Sequence, residues 1–376
     1  MKKIFWGIQQ LSKIGGTELV SINIMNHLVD KYDITIICTS EKSKCVYKIN
    51  PKIKILYLGV PLEVCRYDEY ITQNNKEWKP WRNISLTFNL LKTFISKRKR
   101  NRREITKIVG PDDLLICSSL DSYCFAPKGV NCYFHFHFNA KNFNGRINQC
   151  LMHYARKPDK YIFITKDTLE NVVKKHKNLK DKSMYVYNPV RFDPELHLTN
   201  HKNTIMFCGR FVTQKDPMLA LKIAKQLSKM NVPFKMNFIG SGFLERKMKH
   251  YIKRNNLENI VSIGGETLDM HKELLHTDLL LITSVYEGFH LVRGEANSLS
   301  VPYISTNWGD ACYELNHEGK DGIIIDSRDP KVFALKIKEL LNDREKLKNL
   351  KKSSYECSLN FAPNKIIDIW KNEIIK

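Results

Sequence analysis

Two cations and two carboxylates in the second half of the chain have the types and spacing to handle a phosphorylated ligand. Arg210 and Lys215 lie in Cys208-Gly209-Arg210-Phe211-Val212-Thr213-Gln214-Lys215-Asp216-Pro217, where a strand-like run ends and a helix should open with Asp216 as N-cap and Pro217 in its first turn. On such a loop both cations, with the helix N-terminus beside them, would stabilise a diphosphate. Glu287 and Glu295 stand with seven residues between them in Tyr286-Glu287-Gly288-Phe289-His290-Leu291-Val292-Arg293-Gly294-Glu295. The first follows a strand and the second falls inside the next helix, which brings both to one end of a ligand site. The Gly288 to Leu291 amides then face the ligand. An acid just past a strand end is placed to grip a sugar hydroxyl. A third segment, Phe238-Ile239-Gly240-Ser241-Gly242, runs a strand into a glycine turn whose amides can approach a ligand closely. Taken singly, each segment also reads as surface charge or a plain turn. Their succession along one chain carries the information.

The elements that must position them form two alternating series. Strand-like runs at Lys3–Gly7, Ile34–Cys38, Lys54–Leu58, Leu114–Ser118, Val130–Phe134, Tyr161–Thr165 and Met184–Tyr187 are interleaved with helical patterns such as Glu18–Val29 and Leu169–His176. A second series runs through Thr204–Gly209, Lys235–Ile239, Ile260–Ile263, Leu279–Thr283, Tyr303–Ser305 and Gly322–Ile325. Strand–helix alternation predicts parallel sheets covered by helices on both faces, and 376 residues predict two such domains. The stretch Asn188-Pro189-Val190-Arg191-Phe192-Asp193-Pro194 reads as the linker between them. Ligands of doubly wound sheets bind beyond the carboxyl ends of the strands, so the site is expected in a cleft between the domains.

In this order, Gly-Arg-x4-Lys, Gly-Ser-Gly and Glu-x7-Glu resemble the retaining GT-B glycosyltransferases of family 4, the group 1 glycosyl transferases that build bacterial surface polysaccharides. The Gly15-Gly16-Thr17-Glu18 lead-in to the first helix resembles the same family. The resemblance implies an α/β chain of two Rossmann-like doubly wound domains facing a central cleft. Residues 1–190 would be the acceptor-binding domain, 200–355 the nucleotide-sugar domain, and 356–376 a C-terminal helix crossing back to the first domain. It implies that Arg210 and Lys215 hold the donor diphosphate and stabilise its departure. Glu287 with Gly288, Phe289, His290 and Leu291 would hold the donor sugar, and Glu295 would accept from the ribose hydroxyls. Gly16, Gly209, Gly240 and Gly242 would allow close phosphate approach, and Gly265 and Glu266 would lie where the base packs.

The family also places a histidine near the donor sugar, after a strand of the first domain. His135 is the choice here because it follows Val130–Phe134 directly, with His137 as the alternative. As a strand the two would share a face, and a His-x-His metal site needs a further ligand that the nearby sequence does not offer. No Asp-x-Asp occurs, so a metal-independent reaction with no cofactor is expected, cations holding the leaving diphosphate. His290 and Arg293 stand where many relatives have small or aliphatic residues, which bears on the choice of sugar and nucleotide.

The donor is expected to be a UDP-linked hexose or N-acetylhexosamine and the acceptor a saccharide or lipid-linked saccharide. A formal charge of +22 agrees with anionic partners, although lysine-rich composition alone gives the same excess. Trp78 and Trp81, then Lys97, Arg98, Lys99, Arg100, Arg102 and Arg103 around an apolar helical run, suit a peripheral contact with anionic lipid; a solvated charge run at the end of a core helix is the plainer reading. Ten scattered cysteines without a Cys-x-x-Cys pair, no signal-like leader and no run long enough to cross a bilayer predict a cytoplasmic protein, peripheral on the inner membrane face at most. Two other classes stay open: a GT-B-like nucleotide-sugar epimerase, and a basic nucleic-acid-binding protein. The second lacks any aromatic-interleaved, zinc or helix-turn-helix signature, so no nucleic-acid partner is expected.

Overall fold

The computed structural model describes residues 1–59, 98–145, 149, 152–153, 157–199, 203–267, 269–316 and 319–375. It contains two compact units, one of Met1–Pro189 with Ile366–Lys376 and one of Val190–Lys365.

The first unit is a seven-stranded parallel sheet in the order β3-β2-β1-β4-β5-β6-β7. Its strands are β1 (Lys3–Ile8), β2 (Asp33–Cys38), β3 (Lys54–Tyr57), β4 (Leu114–Cys117), β5 (Asn131–Phe136), β6 (Lys160–Phe163) and β7 (Ser183–Tyr185). The second unit is a six-stranded parallel sheet in the order β10-β9-β8-β11-β12-β13. These are β8 (Thr204–Cys208), β9 (Lys235–Ile239), β10 (Val261–Gly265), β11 (Leu279–Ile282), β12 (Tyr303–Thr306) and β13 (Gly322–Ile325). Both orders are those of doubly wound Rossmann-like sheets, in which the chain reverses direction across the sheet between β1 and β4 and again between β8 and β11.

Composition accounts for this arrangement. Central strands such as Leu114–Cys117 and Leu279–Ile282 are buried at every position, as strands covered on both faces must be. The Pro217–Ser228 helix buries Leu219, Ala220, Ile223, Ala224 and Leu227, a stripe at helical spacing, against a core that includes Phe207, Phe211, Phe238 and Phe333. Asp216 caps it as the sequence predicts, its Oδ1 accepting from the Leu219 amide at 3.1 Å.

Three expectations change. Strand β5 runs on to Phe136, because Cys132, Phe134 and Phe136 alternate into the core of the first unit; His135 therefore lies inside the strand, not after it. The Asn188–Pro194 stretch is no free linker, since Val190 onward is stitched to the second unit: the Val190 amide donates to the Phe361 carbonyl at 3.0 Å and the Glu195 amide to that of Ser298 at 2.7 Å. The 356–376 segment is not one crossing helix. Residues 356–365 stay with the second unit, and Ile366–Lys376 belongs to the first, where Trp370 packs 5.2 Å from Trp6 and Lys2 donates to the Ile375 carbonyl.

Candidate active site

The loops after β8 and β9 meet backbone against backbone. Gly209 (φ 154°), Gly240 (φ 138°) and Gly242 (φ 157°) make this possible: a Cβ on Gly240 would overlap the Gly209 carbonyl oxygen, and one on Gly242 would come within 2.5 Å of the Phe211 carbonyl oxygen. The Phe211 amide donates to Ser241 at 2.7 Å, and the Gly240 amide to Gly265 at 2.7 Å, tying β8, β9 and β10 at their carboxyl ends. Ser241 donates in turn to Glu266 at 2.5 Å, so the Gly-Ser-Gly turn and the Gly265-Glu266 segment form one surface.

The loops after β8 and β11, on either side of the reversal, are tied just as firmly. The Val285 amide donates to the Gln214 carbonyl at 2.8 Å, and the Gln214 amide group to the Tyr286 carbonyl at 3.0 Å. The Thr283 hydroxyl lies 2.9 Å from the carbonyls of both Lys215 and Asp216. Arg328, which the sequence reading missed, clamps the same loops, donating to Asp216 Oδ2 at 2.6 Å and to the Thr283 and Ser284 carbonyls. The result is a close ion pair: Lys215 Nζ stands 2.6 Å from Glu287 Oε1, with both side chains largely buried. Arg210 projects from the same loop, exposed, 3.5 Å from the Gln214 side chain.

Glu295 lies on the Leu291–Ser298 helix, whose residues from Arg293 to Ser298 are all buried. It is 2% exposed, and its partner is Arg191, whose Nε and Nη2 meet its two oxygens at 2.5 and 2.8 Å. Burial pushes the Cys208 thiol up to about 12; Glu295 adds to the rise while Lys215 and Arg191 oppose it, so these charges share one electrostatic neighbourhood at the end of β8. Sequence reasoning missed Arg191 because its partner lies 104 residues away.

His290 and Arg293, standing where many relatives have small or aliphatic residues, both make contacts within the second unit. His290 caps the Leu291–Ser298 helix, its Nδ1 accepting from the Arg293 amide at 3.3 Å. Burial, then the charges of Lys215 and Arg293, keep its ring neutral. Arg293 is 1% exposed and turns into the core, donating to Asp321 at 2.8 Å and to the Leu315 carbonyl at 2.5 Å.

In the first unit, His135 is 1% exposed, its ring centroid 4.0 Å from that of His137 and 5.1 Å from that of Trp370. Neither of its nitrogens has a hydrogen-bond partner among the described residues. His137 stands one residue beyond β5 and is half-buried. Burial keeps both rings neutral, His137 down to about 3. Among the described residues no three His, Cys, Asp or Glu side chains are grouped as a metal site, and no helix is long and apolar enough to cross a membrane.

The Gly15-Gly16 lead-in begins the Gly16–Leu28 helix. A Cβ on Gly15 would collide with the Glu18 carboxylate, which folds back beneath the loop. Burial pushes that carboxyl up from 4.5 to about 7, against a smaller lowering by its own amide. The folded state therefore holds a proton that the unfolded chain releases above its ordinary value. The resulting stabilisation is complete below about pH 4.5 and is lost as pH rises through about 7. Glu18→Gln should remove this loss: its melting temperature should exceed that of the wild type at pH 8 by more than at pH 5. Equal differences at the two pH values would refute the assignment.

Trp78, Trp81 and Lys97 lie outside the described residues. Helix 98–108 buries Asn101 and Ile105 and turns Lys99, Arg100 and Arg103 to solvent; Arg98 and Arg102 are half-buried.

Two Rossmann-like parallel-sheet units are the parts of which a GT-B fold is built, and the second carries a cation–carboxylate pair at its reversal. Residues 191–356 match the family Glycosyl transferases group 1. This segment is similar to that family, and the chain is a glycosyltransferase with the GT-B fold. Over its whole length the chain is 22% identical to the amylovoran biosynthesis glycosyltransferase AmsD of Erwinia amylovora, across 100% of both proteins. It is 29% identical to an uncharacterized glycosyltransferase of Methanocaldococcus jannaschii over 50% of this chain and 52% of that protein, so this match spans about half the relative's length. Its fold is similar to that of S. aureus TarM crystallised with fondaparinux, alpha-GlcNAc-glycerol and UDP, with a TM-score of 0.79, 16% identity and 99% of each chain covered.

Proposed function

We propose that the chain transfers a hexose or N-acetylhexosamine from a UDP-linked donor, with retention of anomeric configuration and without a metal, to a saccharide or lipid-linked saccharide in the synthesis of a cell-surface polysaccharide. The observation that carries this reading is the Lys215–Glu287 pair, held at 2.6 Å by loops tied across the sheet reversal, with Arg210 beside it. UDP in the similarly folded TarM supports the choice of base, and the name of AmsD supports a polysaccharide product.

Arg210 and Lys215 would take the diphosphate. As the anomeric C–O bond breaks, its electron pair goes to the departing phosphate oxygen, and fixed cations stabilise the charge that develops there. The acceptor hydroxyl oxygen forms the new bond on the same face, and its proton passes to the departing phosphate. Glu287 and the Gly288 to Leu291 backbone would hold sugar hydroxyls, and Glu295 those of the ribose. The exposed cations of helix 98–108 suit an anionic acceptor surface, lipid included.

Nucleotide sugars screened by thermal shift test the donor. A ligand at a hundred times its dissociation constant adds about 2.7 kcal/mol of stability, so a UDP-sugar should raise the melting temperature by several degrees in EDTA. The best donor is then incubated with saccharide acceptors, and with lipid-linked acceptors in anionic vesicles. An α-linked product from an α-linked donor is expected. An inverted product, a metal requirement, or conversion of the donor alone to its epimer would overturn the reading.

A further inference from the structure

We propose that Arg191 is a positioning residue for nucleotide recognition: by gripping both oxygens of Glu295 it fixes that carboxylate to receive the two hydroxyls of an intact ribose. The proposal rests on the reading that Glu295 accepts from the ribose.

A carboxylate that is 2% exposed must be paired to remain charged, and Arg191 meets it through a two-pronged fork at 2.5 and 2.8 Å. A carboxylate has about four acceptor lone pairs, of which the fork occupies two, one on each oxygen. The two left over match the two neighbouring hydroxyl donors of a ribose. Lysine, a single flexible point charge, would neutralise Glu295 without fixing its plane.

Arg191 is itself held in place. Its guanidinium lies 5.2 Å from the Phe192 ring centroid. The strand of chain around it is pinned to the Leu291–Ser298 helix and its neighbours on both sides, through Val190 to Phe361, Glu195 to Ser298 and His197 to the Ser300 hydroxyl at 2.9 Å. Gly294, the residue before Glu295, lets this strap lie close: a Cβ there would come within 3.0 Å of the Val190 side chain. Such fixation exceeds what neutralising one buried acid requires, and it stops a carboxylate from rotating when a ligand leaves.

The test uses the full chain and whichever of UDP, GDP and ADP binds tightest, compared with its 2′-deoxy form by calorimetry. Arg191→Ala would strand a buried charge, so Arg191→Lys is the informative variant. Hydrogen bonds to a charged acceptor predict a wild-type preference for the ribonucleotide of about tenfold or more. Arg191→Lys should cut that preference below about threefold, chiefly by weakening the ribonucleotide, and should raise KM for the donor with little change in kcat. Its melting temperature should stay near that of the wild type. If Arg191→Lys keeps the wild-type preference, or loses both nucleotides equally, the Arg191 proposal is overturned while the ribose reading of Glu295 stands. A wild type that does not distinguish the two forms, or binds none of the three diphosphates, overturns both.

Discussion

Arg210→Ala should lower turnover at saturating donor by at least about a hundredfold and leave the melting temperature unchanged. The guanidinium is exposed, and its contact with Gln214 is 3.5 Å long, so little folding energy depends on it. In the transition state it would face a diphosphate that is gaining charge as the anomeric bond breaks. Removing one preorganised donor from such a site costs on the order of a hundredfold to a thousandfold in rate. Lys215→Ala should cost at least as much, because its ammonium is held in place by the loops around it instead of being drawn from solvent at each turnover. The two differ in diagnostic value. Lys215 also pairs with the buried Glu287, so on the proposed roles its loss would perturb the holding of sugar and phosphate together and should raise donor KM as well. Loss of Arg210 should fall on kcat. Steady-state kinetics of purified variants with matched melting curves decide the matter. Near-normal kcat in Arg210→Ala would remove the cation from the chemistry.

The parts of this site that were legible in the sequence are those fixed by local spacing. Strands buried on both faces leave continuous apolar runs, and all thirteen appear at the expected places with ends shifted by a residue or two. The Asp216-Pro217 cap and the Gly-Ser-Gly turn are equally local, and they locate Arg210, Lys215 and the β8–β9 nest without knowledge of the fold. Ambiguity begins where two readings share one period. Tyr133, His135 and His137 fall on the face opposite Cys132, Phe134 and Phe136, and nothing in the alternation says that the strand continues for two residues beyond Phe134. That extension buries His135 beneath Trp370, a residue 235 positions later, and leaves His137 outside the strand. Illegible altogether were the long-range charge pairs. Arg191 looked like linker polarity until Glu295 was brought to it, and Arg328 has no sequence signal linking it to the loops it clamps.

Arg293 shows what such a hidden pair is worth. Arg293→Met should destabilise the fold by about 3 to 5 kcal/mol, the range for removing one member of a buried ion pair. Asp321 is wholly buried and accepts from Asn297 at 2.7 Å, Asn316 at 3.0 Å and Tyr303 at 3.1 Å as well as from Arg293. Three neutral donors lower the cost of burying its charge but do not cancel it. The guanidinium also lies 5.6 Å from the Tyr303 ring and 5.5 Å from that of Phe361, so methionine restores volume but not the cation. Because the charge left behind is the main cost, Arg293→Met with Asp321→Asn should be markedly more stable than Arg293→Met alone, even though the double variant has lost more hydrogen bonds. Urea unfolding of the four species in a double-mutant cycle gives the coupling directly. If the single variants were each within about 1 kcal/mol of the wild type, the pair would have no such weight. The same variants separate core from specificity. Arg293 is 1% exposed and its Nη1 donates to Asp321 and the Leu315 carbonyl, so the folded fraction of Arg293→Met should keep the wild-type ranking of nucleotide sugars, and a changed ranking would return Arg293 to the ligand.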